Sequence, residues 1–581
     1  MLRLPKPCKP WHVAPGARAI VWQATEQGFN REHFARQTLR VPERLHVPLA
    51  RRYASTLAAE GYRAANLQIL DMGELCAARG LDLIASDSDL REQAREHAER
   101  CGRMMYRGVS NGGLLRDQLT AYCEGRGVRP PESRSLAGFV ARCSSDAWWR
   151  RALRRSTVRE AERIFIGLGL VHRRASLYAS AEAVARRVEQ RARNAAMLKA
   201  TEAENERGDV LTLAELSARN VSNPAVRRAE LMTRIRGFEE FATAAGHSAL
   251  FVTWTTPSRM HARLAATGDA NPKHDGTTPR EAQGYLVRQW ARARAALARK
   301  GVHVYGFRVA EPHHDGTPHW HLLLFVARAA VQWVVDKLRK YACQIDAGEL
   351  TSEAAQSARF KSIPIEAEKG TAAGYVAKYV AKNIDGFQVG DDMEAAPGVQ
   401  ASESVRHVDA WAATWGIRQF QQVGGPGVTI WRELRRLRDK PQGELFGDFW
   451  EAADAGEWCR YVALMGGIEI KRADRPLQLW RCEPVVQGRD DERGRVGLVP
   501  LLTSYGEARA AEVRGVQFQG VPLITRTHQW TVRPCREGVG FRVSWTRVNN
   551  CTSEDANAGA SSTDSARAGR VPRARGAHCR S

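Results

Sequence analysis

The amino-acid sequence predicts an α+β fold: a central antiparallel sheet flanked by helices, preceded by a basic helical region and followed by a mixed C-terminal region. Three observations carry this reading. Segments rich in β-branched and aromatic residues, SALFVTWTT at 248–256, VHVYGFRVAE at 302–311 and HWHLLLFV at 319–326, have the composition of strands. Between the first and second lies a long stretch with apolar residues at helical spacing. The second and third are separated only by the turn-forming HHDGTP region, which makes them antiparallel partners.

Taken in order, residues 1–135 mix short helical stretches with loops such as GVSNGG and RPPES and carry no interpretable motif. Residues 136–237 read as a basic helical module that includes TVREAERIFIGLGL and an Ala, Arg and Glu rich run from Ala181 to Ala203. AELMTRIRGFEEFATAAGHS is a further helix ending near Gly246, and the strand after it belongs to a domain spanning 238–390. There, PREAQGYLVRQWARARAALARKG begins with Pro279, carries Leu286, Trp290, Ala293 and Leu297 at helical spacing, and stops at Gly301 as a C-cap. A helix from Val331 to Cys343, a short strand at Phe360–Ile365 and a helix containing GYVAKYVAKN complete the domain. Within a mixed region spanning 391–548, DDMEAAPGVQASES reads as a linker or surface loop, and 549–581, with almost no large apolar groups, reads as a disordered tail.

Lys and Arg number 87 against 64 Asp and Glu, a net charge of +23. Such a field favours a polyanion, because neutralising phosphates releases condensed counterions. No apolar run is long enough to span a bilayer, and the first residues lack the apolar core of a signal peptide. Eleven cysteines without a CxxC pair indicate neither a zinc ribbon nor a disulfide framework. The expectation is a nucleic-acid partner, no membrane, and a reducing cytoplasm.

Alternate side chains of a strand share a face, so His319 and His321 point one way and Trp320 the other. Two imidazoles can hold a divalent cation, which eases attack on a phosphodiester by neutralising and polarising its oxygens. Glu311 is the third candidate ligand, and register decides its role. It joins the histidines if it pairs with His319 or His321 and faces away if it pairs with Trp320. The three-ligand site therefore requires an odd-length or bulged turn around Asp315 to Thr317. This donor set suits Mn²⁺ or another transition ion at least as well as Mg²⁺; a merely packed histidine pair is the alternative. His313 and His314, as turn residues, are expected to face solvent or a phosphate. Tyr375 and Tyr379, four apart on a helix, stand side by side, as candidate nucleophiles or as the core face of an amphipathic helix. A phenol with a pKa of about 10 needs a metal or a basic neighbour to attack phosphorus. Lys378 and Lys382, on an adjoining face, are candidates to hold phosphates, as is Arg259 with the hydroxyls of Thr255, Thr256 and Ser258.

The ordered set FVTWTTPSRMH, EPHHDGTPHWHLLLF, AAGYVAKYVAKNIDG and RQFQQVGGPGVTIWRELRRL, with ARNVSNPAVRRAEL upstream, resembles the bacteriophage replication gene A protein family over roughly residues 136–440. That family belongs to the HUH endonucleases, where U is a bulky apolar residue, here Trp320. The resemblance implies an HUH-type nuclease domain and an initiator of rolling-circle DNA replication. Such an initiator nicks one strand at the phage origin, attaches to the 5′ phosphate through a tyrosine and leaves a 3′ hydroxyl as primer. It implies His319 and His321 as ligands of Mg²⁺ or Mn²⁺ and Tyr375 and Tyr379 as alternating nucleophiles. Glu311 as third ligand rests on geometry and on analogy with other HUH enzymes. The implied partners are single-stranded and origin DNA and, because the chain lacks a GxxxxGK[ST] sequence for unwinding, a host helicase and DNA polymerase. The implied setting is the cytoplasm of a bacterial host. A relaxase or transposase of the same chemistry and a non-catalytic prophage remnant are the rival readings. Two tyrosines favour replication over single-tyrosine enzymes, and the presence of every key residue argues against the remnant.

Overall fold

A computed structural model of the chain describes residues 12–39, 41, 43, 46–77, 83, 85–106, 112–366, 370–384, 401–442, 444–489 and 496–535. The tail expected at 549–581, most of the linker expected from 391, and any strand between 536 and 548 lie outside the described residues.

Five segments rich in β-branched, aromatic and leucine residues pair into one antiparallel sheet. They are β1 (His247–Trp254), β2 (Tyr305–Pro312), β3 (Pro318–Ala327), β4 (Phe360–Ile365) and β5 (Phe420–Val423). Their spatial order is β4-β1-β3-β2-β5, so the longest strand, β3, lies at the centre. The helices that cover the sheet are α1 (Pro224–Ala244), α2 (Pro279–Arg299), α3 (Val331–Cys343), α4 (Ala372–Ile384) and α5 (Ala401–Trp415).

Both faces of the sheet are buried, which explains why β3 reads as a nearly continuous apolar run. Leu250, Val252, Trp254, Trp320, Leu322 and Leu324 form one core with Leu286, Trp290, Ala293 and Leu297 of α2 and with Val334 and Leu338 of α3. Phe251, Phe307, Val309, Leu323 and Phe325 form the other with Ile235 and Phe238 of α1 and with Val376 and Val380 of α4. Each fully buried aromatic or leucine side chain contributes about 1.5–3 kcal/mol by its removal from water. The start of α2 is fixed by a capping box between Thr278 and Glu281 with Pro279 in the first turn. Its end is fixed by Gly301, whose φ of +70° is the left-handed conformation a C-cap requires.

Several local expectations are corrected. The N-terminal region holds helices of up to 20 residues, the longest being Asp87–Tyr106, not only short stretches. The helical run from Ala181 ends at Lys199, and Thr201–Asn205 is a strand between Val210–Thr212 and Trp530–Pro534. A partner more than 300 residues away supplies hydrogen bonds that override the helical propensity of the local sequence. Helix α1 runs through the boundary expected at 237/238. The fifth strand of the sheet comes from the region assigned to the next domain, and residues 401–404, assigned to the linker, open α5. Among the described residues no helix is long and apolar enough to cross a membrane.

Candidate functional site

The β2–β3 connection decides whether the three candidate metal ligands meet. Pro312 pairs with Pro318, leaving the five residues 313–317 as the turn, and this odd length places Glu311 directly opposite His319. Within the turn the Gly316 amide donates to the His313 carbonyl at 2.8 Å, and Gly316 has φ +82°. The register is the one that a three-ligand site requires. Glu311, His319 and His321 lie on one face, with one potential ligand atom of each within 4.8 Å of the others. The Nε2 atoms of His319 and His321 are 2.9 Å apart, and His321 Nε2 is 3.7 Å from Glu311 Oε2. Donors held about 2.0–2.2 Å from one ion stand roughly 3–4 Å apart, so the triad is compatible with a divalent metal.

Neighbouring side chains orient the donors. Thr253, opposite His321 on β1, has its hydroxyl 3.2 Å from His321 Nδ1, which leaves Nε2 facing the other two donors. Asn383 at the end of α4 donates to Glu311 Oε1 and to the Tyr379 carbonyl, and its own oxygen accepts from Gln419 at 3.3 Å. Asn383 is buried, as is Glu311. Asn383 lies outside the tyrosine motif, although Tyr375, Tyr379 and Asn383 repeat at intervals of four and therefore share a helix face.

Helix α4 brings the tyrosines to the same place. Ala372, Val376, Val380 and Ile384 are buried against the sheet. Glu239 of α1 accepts the backbone N–H groups of Ala372 and Ala373 at 2.6 and 3.1 Å, a carboxylate at the positive end of α4. The Tyr379 ring lies 4.4 Å from the His321 ring and 5.3 Å from Phe251. Tyr375 packs on Phe251 at 5.9 Å and is 42% exposed, so it is open to a ligand from solvent. Lys378 and Lys382 lie on α4, but their side chains fall outside the described ones.

Other candidates are placed differently from expectation. Arg259 is tied into ion pairs with Asp275 and Asp346, which raise its pKa, so its charge is already met within the protein. Ser258 donates its N–H and hydroxyl to Glu349, and Thr256 is buried against His261. His313 and His314 are half-buried and line a cavity beside the turn. His313 packs between His319, at 4.1 Å, and His261, at 5.0 Å, and His314 stacks on Tyr178. Burial, followed by the nearby His261, pushes the pKa of His313 down to about 3, so this imidazole is neutral. Asp315 is buried too, yet His261 beside it outweighs that burial and holds its carboxyl well below the usual range. A cavity of about 530 Å³, lined in part by Thr255, Ser258, His261, Asn271 and Lys273, opens beside this turn.

The chain is similar to phage proteins over most of its length. It is 39% identical over 438 residues to the "Replication gene A protein" of Escherichia phage 186, covering 73% of this chain and 60% of that protein. It is 40% identical over 423 residues to a "Probable replication protein" of Pseudoalteromonas phage PM2, covering 71% and 61%. It is 36% identical over 451 residues to a "Probable replication endonuclease from prophage-like region 1" of Salmonella typhi, covering 73% and 53%. The chain thus spans between half and two thirds of the length of these relatives. No solved structure matches it. The model of the bacteriophage replication gene A protein family matches residues 116–387, a range that contains the hairpin triad and both tyrosines. Over residues 116–387 this chain is therefore similar to the bacteriophage replication gene A protein family.

Proposed function

We propose that the protein is a site-specific single-strand DNA endonuclease and strand transferase of the HUH type that initiates rolling-circle replication of a phage genome. The observation that carries the reading is the convergence of Glu311, His319 and His321 with the ring of Tyr379 on one side of the sheet. A divalent metal, Mg²⁺ or Mn²⁺, held by the triad would supply charge neutralisation and polarisation of a phosphodiester oxygen. Tyr375 or Tyr379, as the phenolate, attacks phosphorus in line. The new Oη–P bond forms as the P–O3′ bond breaks, leaving a 5′-phosphotyrosine and, after protonation, a free 3′ hydroxyl. That hydroxyl primes synthesis. When the origin has been copied, the second tyrosine repeats the cleavage, and the released 3′ hydroxyl attacks the first phosphotyrosine to close a circle.

The partners of this activity are single-stranded and origin DNA, with helicase and polymerase from the bacterial host in whose cytoplasm it would act. Names containing "replication endonuclease" among the relatives support the nuclease reading. The test is incubation of the full chain with single-stranded fragments tiling the DNA around its gene, with Mn²⁺ or Mg²⁺. A covalent protein–DNA adduct that is abolished by EDTA and by the Tyr375→Phe/Tyr379→Phe double substitution is expected. Absence of any adduct, or an undiminished adduct in the double variant, would overturn the reading.

A further inference from the structure

A second region of the molecule is built to meet an anion. The helix Asp146–Gly167 places Arg151, Arg155 and Arg159 at intervals of four, on one side about 6 Å apart along the axis. They face a cleft of about 1100 Å³ between that helix, the helix Ala181–Lys199, the start of α2, the end of α5 and parts of the N-terminal region from His12 to Leu90, with Glu43, Asp87, Glu182 and Glu189 also in its lining. Arg280 of α2 completes the stripe: an added Cβ on Gly416 would touch the guanidinium groups of Arg159 and Arg280 at 3.0 and 3.1 Å.

The charges on this stripe are not balanced from within. Other arginines of the cleft have acidic partners, as in Arg154 with Asp87, Arg186 with Glu182 and Arg187 with Asp409. Among the described residues Arg151, Arg155, Arg159 and Arg280 have none. Arg151 donates to the Tyr505 hydroxyl, Arg159 to the Thr414 carbonyl at 2.8 Å and Arg280 to the Trp415 carbonyl at 2.9 Å. Backbone carbonyls thus fix two like-charged groups side by side, and Arg155, which is exposed, adds a third. Burial and then the repulsion of Arg280 and Arg155 lower the pKa of Arg159 to about 10, so the group stays charged at neutral pH. Holding unbalanced cations in fixed positions is unfavourable for the free protein and favourable once a polyanion arrives.

We infer that Arg155, Arg159 and Arg280 form a binding site for the phosphate backbone of duplex DNA, separate from the metal hairpin. Among the described residues the lining of the cleft contains no Trp, Tyr or Phe, the strongest platforms for stacking unpaired bases. Contact with phosphates alone positions a duplex without reading its sequence. The inference rests on the DNA-nicking reading for its purpose, which is to hold double-stranded DNA flanking the nick while a single strand occupies the hairpin site.

Fluorescence anisotropy of the full chain with a labelled 24-base-pair duplex of arbitrary sequence, and with the corresponding single strand, over a range of salt tests this without requiring cleavage. The R155Q/R159Q/R280Q variant is expected to bind the duplex at least tenfold more weakly. Its log–log salt slope should fall by about 2 to 3, because each lost phosphate contact removes about 0.9, and single-strand affinity should change less than threefold. R155E alters an exposed side chain with no carboxylate partner, so it guards against misfolding of the triple variant and should weaken duplex binding about fivefold or more. Duplex affinity and salt slope unchanged in both variants would overturn the inference and leave the cleft to an acidic protein. Equal losses for duplex and single strand would also overturn it, making the cleft part of a single-strand path. Adduct formation plays no part in these readouts, so failure of the nuclease reading would be seen separately.

Discussion

Replacing Asn383 by alanine probes whether the candidate metal ligands are held as the geometry indicates. Its amide donates to Glu311 Oε1, and both side chains are buried. A hydrogen bond to a charged group contributes about 1.5–3 kcal/mol. If that amount serves to hold the carboxylate where the histidines need it, the loss corresponds to roughly 10- to 100-fold weaker binding of the ion, at about 1.4 kcal/mol per factor of ten. The measurement is isothermal titration of Mn²⁺ into wild-type and Asn383→Ala protein, with thermal melting to confirm that both are folded. Gln419→Ala, which removes only the neutral 3.3 Å contact to Asn383, should cost roughly two- to tenfold. Mn²⁺ affinity within twofold of wild type in a folded Asn383→Ala protein would refute the argument, because Glu311 would then be oriented by something else or not be a ligand.

Three further expectations follow from named contacts. Gly316→Ala should destabilise the protein by about 1–3 kcal/mol and weaken Mn²⁺ binding, since φ is +82° and the added Cβ would lie 3.0 Å from the Tyr178 carbonyl oxygen; denaturant titration and calorimetry check it. Glu239→Ala removes the carboxylate that accepts two N–H groups at the start of α4, which should cost about 1–2 kcal/mol in a melting experiment and slow adduct formation. Glu162 is buried, and burial, only partly offset by hydrogen bonds from Ser180, raises its pKa to about 7. Its proton is held more tightly folded than unfolded, so its contribution to stability is complete below pH 4.5 and is lost as pH rises through 7. Melting temperatures at pH 5 and pH 8 should therefore converge in Glu162→Gln relative to wild type, the change reflecting up to about 3 kcal/mol.

The strands and helices of residues 238–390 were legible because each obeys a local rule. HWHLLLFV has no helical period, Pro279 and Gly301 bracket α2, and the HHDGTP segment can only reverse the chain. The chemistry-bearing triad was legible as a condition on register, and the five-residue turn meets that condition. What local patterns could not carry was pairing at long range: Thr201–Asn205 becomes a strand only because Trp530–Pro534 lies beside it. Arg259 shows the same limit for charge. An arginine beside a strand end resembles a phosphate contact until Asp275 and Asp346, 16 and 87 positions away, are seen to claim it.

The turn carries more of the site than its length suggests. A one-residue slip of β3 would move every side chain to the opposite face. His319 and His321 would then lie under α2, where Trp320 now donates to Gln283, and Trp320 would stand between Glu311 and the tyrosines. Such a slip is opposed from both directions. On the α2 side it would bury two imidazoles in an apolar core, and on the α4 side it would leave Glu311 buried with Asn383 but without the histidines. Helix α5 adds a clamp, since Trp411 donates to the Gly316 carbonyl at 2.7 Å, and Tyr178 covers the same loop from the helical module. The residue between the two histidines is therefore large and apolar for a physical reason: it anchors the far face of the strand and so keeps its neighbours on the near one.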